Sequence, residues 1–244
     1  MGLMLRFPTE SPAILAMVLT NRPYLGEWLR FSEAQWIRDR GVKTVIDIGA
    51  YTGSLCFGIA KLIPDVRIYA FDPLPENFMK LQVLAEDIDL FPFNVAVGNQ
   101  EGQGTFYRNA FSASSSALAM AQTHADEFPE TAHSEEIPVP FWRLDEHLKE
   151  FDVTGTTLMV LDVQGYEFEV LQGSERLLAD VDIVICEISV EVLYEQQASF
   201  HDIYTWLTDR GFYYSGDFDR LMSPVDGRVL QVDAIFDRRT MADT

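Results

Sequence analysis

"VIDIGAYTGSLCFGIAKLIPDVRIYAFDP", residues 45 to 73, runs from an apolar strand through a glycine turn into a helix, then to a second strand that stops at an aspartate. The run KTVIDI is β-branched, residues 53 to 63 carry helical spacing, Pro64 ends that helix, and VRIYAF is again a strand pattern. A second unit follows at once. PENFMKLQVLAED is an amphipathic helix opened by Pro75, and LFPFNVAVG is a third strand region. Two β-α-β units in series predict an α/β fold with a parallel sheet, right-handed crossovers and a ligand crevice at the carboxyl ends of the strands.

The alternation lapses after Gly98. GQGTFYRN and IPVPFWRLD read as extra strands, and between them residues 112 to 136 are polar, serine-rich and without a clear period. A segment that long inside a compact domain is read as a binding loop or lid, so an inserted lid-like segment is expected at about 105–140. Regular order resumes with a short helix LDEHLKEF, the strand TLMVLDV, a helix YEFEVLQGSERLL, the strand VDIVICEI and a last helix SFHDIYTWLTDR ending at Gly211. Two terminal strands, FYYSG and VLQVDAIFD, are separated by SPVDGR, which permits an antiparallel hairpin. Upstream, residues 12 to 40 read as helical cover with Ser32 as a cap, Gly41 as a stop and Trp28, Phe31 and Trp36 as packing residues. The expected division is therefore 1–42 as N-terminal cover and 43–244 as the main domain.

Composition bounds the partners. With 18 Lys and Arg against 38 Asp and Glu the formal charge is −20, and no basic run interrupts it, so phosphate backbones and anionic membranes are repelled. The apolar character of the first twenty residues is broken by Arg6, Pro8, Glu10 and Pro12, too often for a membrane span or signal peptide. Cys56 and Cys186 both fall in apolar patterns and are expected as buried reduced thiols, which suits the cytoplasm. A homo-oligomer stays open.

The turn chemistry narrows the ligand. A dinucleotide fold usually carries G-x-G-x-x-G, whose close glycine pair admits a pyrophosphate at the helix N-terminus. Here the turn is DIGAYTG, and that pair is absent. D-x-G-x-x-x-G suits S-adenosylmethionine, with Gly49 allowing the methionine part to lie against the chain and Asp47 facing its ammonium group. Asp72 then accepts the two ribose hydroxyls. The cofactor set expected along this crossover is Asp47, Gly49, Ala50, Tyr51, Gly53, Asp72 and Pro73, joined by Asn94 and Ala96 on the third strand region. A tight turn with no ligand is the plain alternative.

Asp162 and Glu187 each follow a continuous apolar run, LMVL and IVIC, and an unpaired charge there is costly to bury, so each is expected to face the crevice. Asp162 is the candidate general base for a hydroxyl acceptor, with Glu187 and His124 as further catalytic candidates. Ser114, Ser115, Gln164 and Glu167 are candidate substrate contacts; Glu167 equally suits the first turn of a helix, where a carboxylate is favoured. Mg²⁺ held by Asp162 and Glu187 against a vicinal diol is a lesser alternative, since nothing else in the sequence completes an octahedral set. An NAD(P)-dependent oxidoreductase and a binding protein that has lost catalysis are the rival classes.

The stretches VIDIGAYTGSLCFGIAK, YAFDPLPENFMKL, FNVAVGNQEGQGTFY, LDEHL, LDVQGYEFEVLQG and CEIS resemble, in order, the FkbM-type S-adenosylmethionine-dependent methyltransferases over about residues 43 to 236. That resemblance implies a Rossmann-like seven-stranded sheet, mostly parallel with an antiparallel last strand and helices on both faces. It also implies methyl transfer to a hydroxyl of a small molecule or glycan, either a sugar or a secondary metabolite. Asp72 stands where the family often has glutamate, which keeps the carboxylate.

Overall fold

The computed structural model describes residues 35–238. The predicted N-terminal cover, with Trp28, Phe31 and the Ser32 cap, lies outside them apart from its last turn. Within them the helices are α1 (Gln35–Asp39), α2 (Ser54–Leu62), α3 (Pro75–Leu84), α4 (Gln122–Glu127), α5 (Glu167–Gly173) and α6 (Phe200–Thr208). The strands are β1 (Val42–Ile48), β2 (Arg67–Phe71), β3 (Leu90–Phe93), β4 (Ala96–Val97), β5 (Gly102–Asn109), β6 (Ser134–Trp142), β7 (Thr156–Leu161), β8 (Ile183–Ser189), β9 (Tyr213–Met222) and β10 (Val229–Asp237).

Seven strands form one sheet in the order β3-β2-β1-β7-β8-β10-β9. β1, β2, β3, β7 and β8 pair in parallel, and β10 runs antiparallel to both of its neighbours, so the last strand in sequence is the reversed one. The turn 223–228 joins β9 to β10 as the expected hairpin. Alternate residues of a strand face opposite ways, and the core divides accordingly. Ile46, Ile48, Tyr69, Phe71, Met159 and Leu161 pack with Val170 and Leu171 of α5 and Ile203 and Leu207 of α6. Val45, Ile68, Ala70, Leu158 and Val160 pack on the other side with Ile37 of α1, Cys56 and Ile59 of α2, and Leu81 and Leu84 of α3. Both thiols are buried and free. Pro75 opens α3 at its first turn, and a Ser199–Asp202 capping box opens α6.

Three local expectations change. The third strand region is two strands: β3 extends the main sheet, whereas β4 leaves it for a second sheet of order β4-β6-β5. LDEHLKEF makes two 3₁₀ turns, Leu144–Glu146 and Leu148–Glu150, rather than one helix. Residues 112 to 136 are not structureless: they hold a 3₁₀ turn at Ser112–Ser114, helix α4 and a second 3₁₀ turn at Pro129–Thr131. Their order comes from contacts far away in sequence. Ala117 packs with Leu74, Phe106 and Phe141, while Leu118 and Phe128 pack with Leu193, Tyr194 and Leu230. Glu127 of α4 is buried and takes hydrogen bonds from Ser223 Oγ at 2.6 Å and from Arg228 at 2.6 Å, tying the insertion to the β9–β10 turn.

Candidate functional site

The strand order reverses direction of travel between β1 and β7, and a crevice opens at the carboxyl ends there, as open α/β sheets dictate. Its walls are the β1–α2 turn, the end of β2, Val95 to Val97, part of the insertion including Ser112 and Ser115, the segment Asp162–Gln164, Glu187, and Phe218, Asp219 and Asp233 from the last two strands. No Lys, Arg or His belongs to this lining among the described residues.

Gly49 sits at φ +91°, and a Cβ there would lie 1.8 Å from the carbonyl oxygen of Asp162. The glycine is thus needed for the close approach of β1 to β7, in addition to any ligand. It and Ala50 donate backbone hydrogen bonds to the Phe71 carbonyl, at 3.0 and 2.9 Å, so the turn is sewn to the end of β2. Tyr51 is itself left-handed, at φ +51°, an uncommon conformation for a residue with a side chain. Gly53 does not line the crevice. At φ +79° it makes room for Leu84, whose Cδ2 would be 2.6 Å from a Cβ, so it serves the packing of α2 on α3.

Asp72 is buried at the end of β2. Its Oδ2 accepts from Tyr51 N–H at 3.0 Å, its Oδ1 from Leu74 N–H at 2.9 Å, and both from Asn77 Nδ2 at 3.2 Å. Burial pushes its carboxyl up to about 7, partly offset by those donors. Asn94 stands behind it and donates to its backbone carbonyl at 3.0 Å. Asp47 is also buried and accepts from the Cys56 thiol at 3.0 Å. Pro73, Ala96, Ala50 and Tyr51 line the crevice with them; Asn94 does not.

Across the crevice, Gln164 Nε2 donates to Asp162 Oδ1 at 2.8 Å and to Glu187 Oε2 at 2.7 Å. Gln231 Nε2 donates to the same Glu187 oxygen at 2.8 Å. Glu187 is pushed well above the usual carboxylate range by burial and by the charges of Asp162, Asp233 and Glu167; Asp162 is raised by burial and lowered by hydrogen bonds from Gln164 and Glu187. Both acids are thus held above the usual carboxylate range, Glu187 further than Asp162. Asp162 keeps accessible surface within the crevice although the protein around it desolvates its carboxyl, while Glu187 is half-buried. The amide nitrogen of Gln164 occupies the place between the carboxylates that the magnesium alternative would assign to a cation. No group of three or more His, Cys, Asp or Glu among the described residues is arranged to hold a metal.

His124 is brought elsewhere. It is buried against Phe128 and Tyr194, with ring centroids 5.4 and 5.2 Å away, and burial lowers its pKa. Ser115 lines the crevice, and its Oγ accepts from Asn109 N–H at 2.9 Å; Ser114 is not part of the lining, and its carbonyl accepts from the Tyr194 hydroxyl at 3.3 Å. Glu167 turns inward, accepting from Val163 and Gly165 N–H, each at 3.1 Å, and so braces the turn that carries Asp162 and Gln164.

Burial raises Glu167 to about 8, the bonds to the backbone pulling the other way. A carboxyl raised on folding stabilises fully below its unfolded value near 4.5, and that contribution is lost as pH climbs through about 8. Glu167→Gln keeps the accepting oxygen without the titration. Its stability should fall less between about pH 6 and pH 8, the difference from wild type being about 2 kcal/mol. Equal slopes in denaturant titrations at the two pH values would count against this. Asp72 and Glu187 shift in the same direction, so the variant flattens the slope without abolishing it.

Gln231, Asp233 and Tyr194 were not foreseen. Gln231 and Asp233 left a signal, two polar residues at alternate positions of an apolar strand, and Asp233 lies in register with Glu187. Tyr194 left none: it looks like any aromatic in a connecting segment.

Residues 47–214 match the family model described as Methyltransferase FkbM domain. The chain is 25% identical over 160 residues to the 2-O-methyltransferase NoeI of Sinorhizobium fredii (strain NBRC 101917 / NGR234); the match covers 63% of this chain and 66% of that protein, just under two thirds of its length. Among the solved structures that resemble the chain are two methyltransferases. The magnesium protoporphyrin IX methyltransferase ChlM of Synechocystis PCC 6803 with bound SAM has a TM-score of 0.47 at 13% identity, covering 96% of this chain and 87% of that one. The plantazolicin methyltransferase BpumL in complex with SAH has 0.47 at 11%, covering 93% and 89%. With a family model spanning more than half of its length, the chain belongs to the FkbM-domain methyltransferases.

Proposed function

We propose that the protein is an O-methyltransferase that uses S-adenosylmethionine and acts on a hydroxyl of an uncharged sugar or secondary metabolite, in the cytoplasm. The observation that carries this reading is the acid pair Asp162–Glu187 in the crevice that also holds Asp72. The crevice fits the cofactor: a carboxylate at the end of β2 beside the β1–α2 turn, with Phe71, Leu74, Val95 and Val97 as an apolar wall for a flat base. When bound, S-adenosylmethionine supplies a methyl group activated by a sulfonium charge. Asp72 would bind the ribose, and Asp47 and the turn at Gly49–Tyr51 would bind the amino-acid end.

An alcohol must lose its proton as its oxygen takes the methyl group, and a carboxylate within hydrogen-bond reach assists that loss. Asp162 lines the crevice and is held less far above the usual carboxylate range than Glu187, so it is the member that receives the proton. Positioning of the acceptor supplies much of the remaining rate, and the insertion, tied down through Glu127 and contributing Ser112 and Ser115, forms one wall for it. The acidic lining without basic residues, among the described residues, favours acceptors that carry no carboxylate or phosphate. The relative's name, 2-O-methyltransferase, supports oxygen as the methylated atom.

The test is transfer of labelled methyl from S-adenosylmethionine to a panel of neutral oligosaccharides and polyketide alcohols, with carboxylated and phosphorylated analogues beside them. Label on neutral hydroxyls is expected. Label confined to the anionic analogues would overturn the acceptor class. A thermal shift with NADH and none with S-adenosylhomocysteine would overturn the cofactor.

A further inference from the structure

Gln164 holds a backbone conformation that its side chain alone would not choose, φ +57°, in the turn between β7 and α5. That turn is fixed from three sides. Glu167 accepts from Val163 and Gly165 N–H, Gly165 is itself at φ +95°, and the Ser116 hydroxyl donates to the Gln164 carbonyl at 2.7 Å. The outcome is that one neutral amide spans two carboxyl groups from neighbouring strand ends.

The orientation of that amide is dictated by electrostatics. Its two N–H bonds satisfy Asp162 Oδ1 and Glu187 Oε2, whereas the flipped amide would set its carbonyl oxygen against both acids. Its Oε1 then needs a donor, and the Tyr194 hydroxyl supplies one at 2.8 Å. Tyr194 is 1% exposed and its phenol is pushed well above its ordinary value by burial and by the charges of Glu187, Asp162 and Glu167, so it remains a donor. Its longer contact, 3.3 Å to the Ser114 carbonyl, joins the same hydroxyl to the insertion.

We propose that Gln164 is the positioning residue of the acid pair and that Tyr194 fixes its amide, so that Asp162 and Glu187 act as one unit. Both amides, of Gln164 and Gln231, donate to Glu187 Oε2 and neither donates to Oε1. The other titratable groups that face the pair are Asp233 on β10, Glu167 on α5 and the Cys186 thiol, which donates to the Glu187 backbone carbonyl at 3.8 Å. The catalytic consequence rests on the reading of Asp162 as the base. The clamp itself does not, and it is measurable without any acceptor.

The experiment is a pH titration of the full chain labelled with ¹³C at Asp and Glu side-chain carboxyls, with the two signals assigned from Asp162→Asn and Glu187→Gln. Gln164→Asn suits the left-handed position but is one methylene too short to span the pair. Loss of the charge-assisted donor should move the Asp162 titration upward by about one pH unit, and Tyr194→Phe should move it the same way by less. Tyr194→Phe keeps the buried ring and gives the reading if the shortened amide disturbs the turn. Titrations of both carboxyls that stay at their wild-type pH in the two variants would overturn the proposal. Failure of every hydroxyl acceptor would overturn the base assignment and leave these titrations where they are.

Discussion

Asp162→Asn is expected to lower methyl-transfer turnover by about a hundredfold or more, the usual contribution of a positioned general base. Asparagine has nearly the same shape, and its side-chain oxygen still accepts from Gln164 Nε2, so the turn at 163–167 and the contact of Gly49 with the Asp162 carbonyl remain. What is lost is the member of the pair held less far above the usual carboxylate range. Glu187 then no longer faces the charge of Asp162, though those of Asp233 and Glu167 remain, and it ionises at lower pH; half-buried and held by Gln164 and Gln231, it replaces Asp162 poorly. Wild-type turnover should rise with pH through the ionisation of the pair, above the usual carboxylate range, and the variant should lose that limb. Turnover is to be measured with the acceptor found in the labelling panel, and S-adenosylhomocysteine affinity by calorimetry. Full turnover in the asparagine variant would remove Asp162 from the mechanism, and an equal fall in cofactor affinity would move its role to the donor side.

Asp72→Ala is expected to weaken S-adenosylhomocysteine binding by about 2–4 kcal/mol, the loss of two charge-assisted hydrogen bonds partly replaced by water. The structure adds a complication. Asp72 also satisfies the N–H groups of Tyr51 and Leu74 and the amide of Asn77, so alanine strands buried donors and loosens the turn as well. Asp72→Asn, with one accepting oxygen kept, separates the two effects: it should retain more of the stability and still lose affinity. A pH series gives an independent check. Ribose hydroxyls bond to the ionised carboxylate, and burial raises that carboxyl to about 7, so affinity should fall as pH drops below about 7 with one proton taken up for each ligand released. Unchanged affinity in Asp72→Ala, or a flat pH series in the wild type, would place the ribose elsewhere.

The sequence by itself determined the sheet and the address of the site. Short β-branched runs alternating with helical spacing are local patterns, and a parallel sheet with its crevice at the strand ends follows from them with no knowledge of which side chains meet. Asp162 and Glu187 were legible because a charge at the end of an apolar strand has few places to go except the crevice, and Asp47 and Asp72 from the glycine turn and the acid that closes the second strand. The tertiary structure alone decided what those residues touch. Gly49 and Gly53 look alike in the motif, but one admits a strand's carbonyl and the other a leucine of α3. Residues 112 to 136 have no period of their own because their order comes from Leu193, Tyr194, Leu230 and Arg228. His124 is drawn into that packing, and Glu167 turns inward to its own loop. Tyr194 reaches Gln164 across thirty residues because both segments leave adjacent strand regions at the same end of the sheet. Periodicity records which face of an element is buried, whereas a contact between distant segments depends on strand order and on the path of the connections, and those are set only when the chain closes on itself.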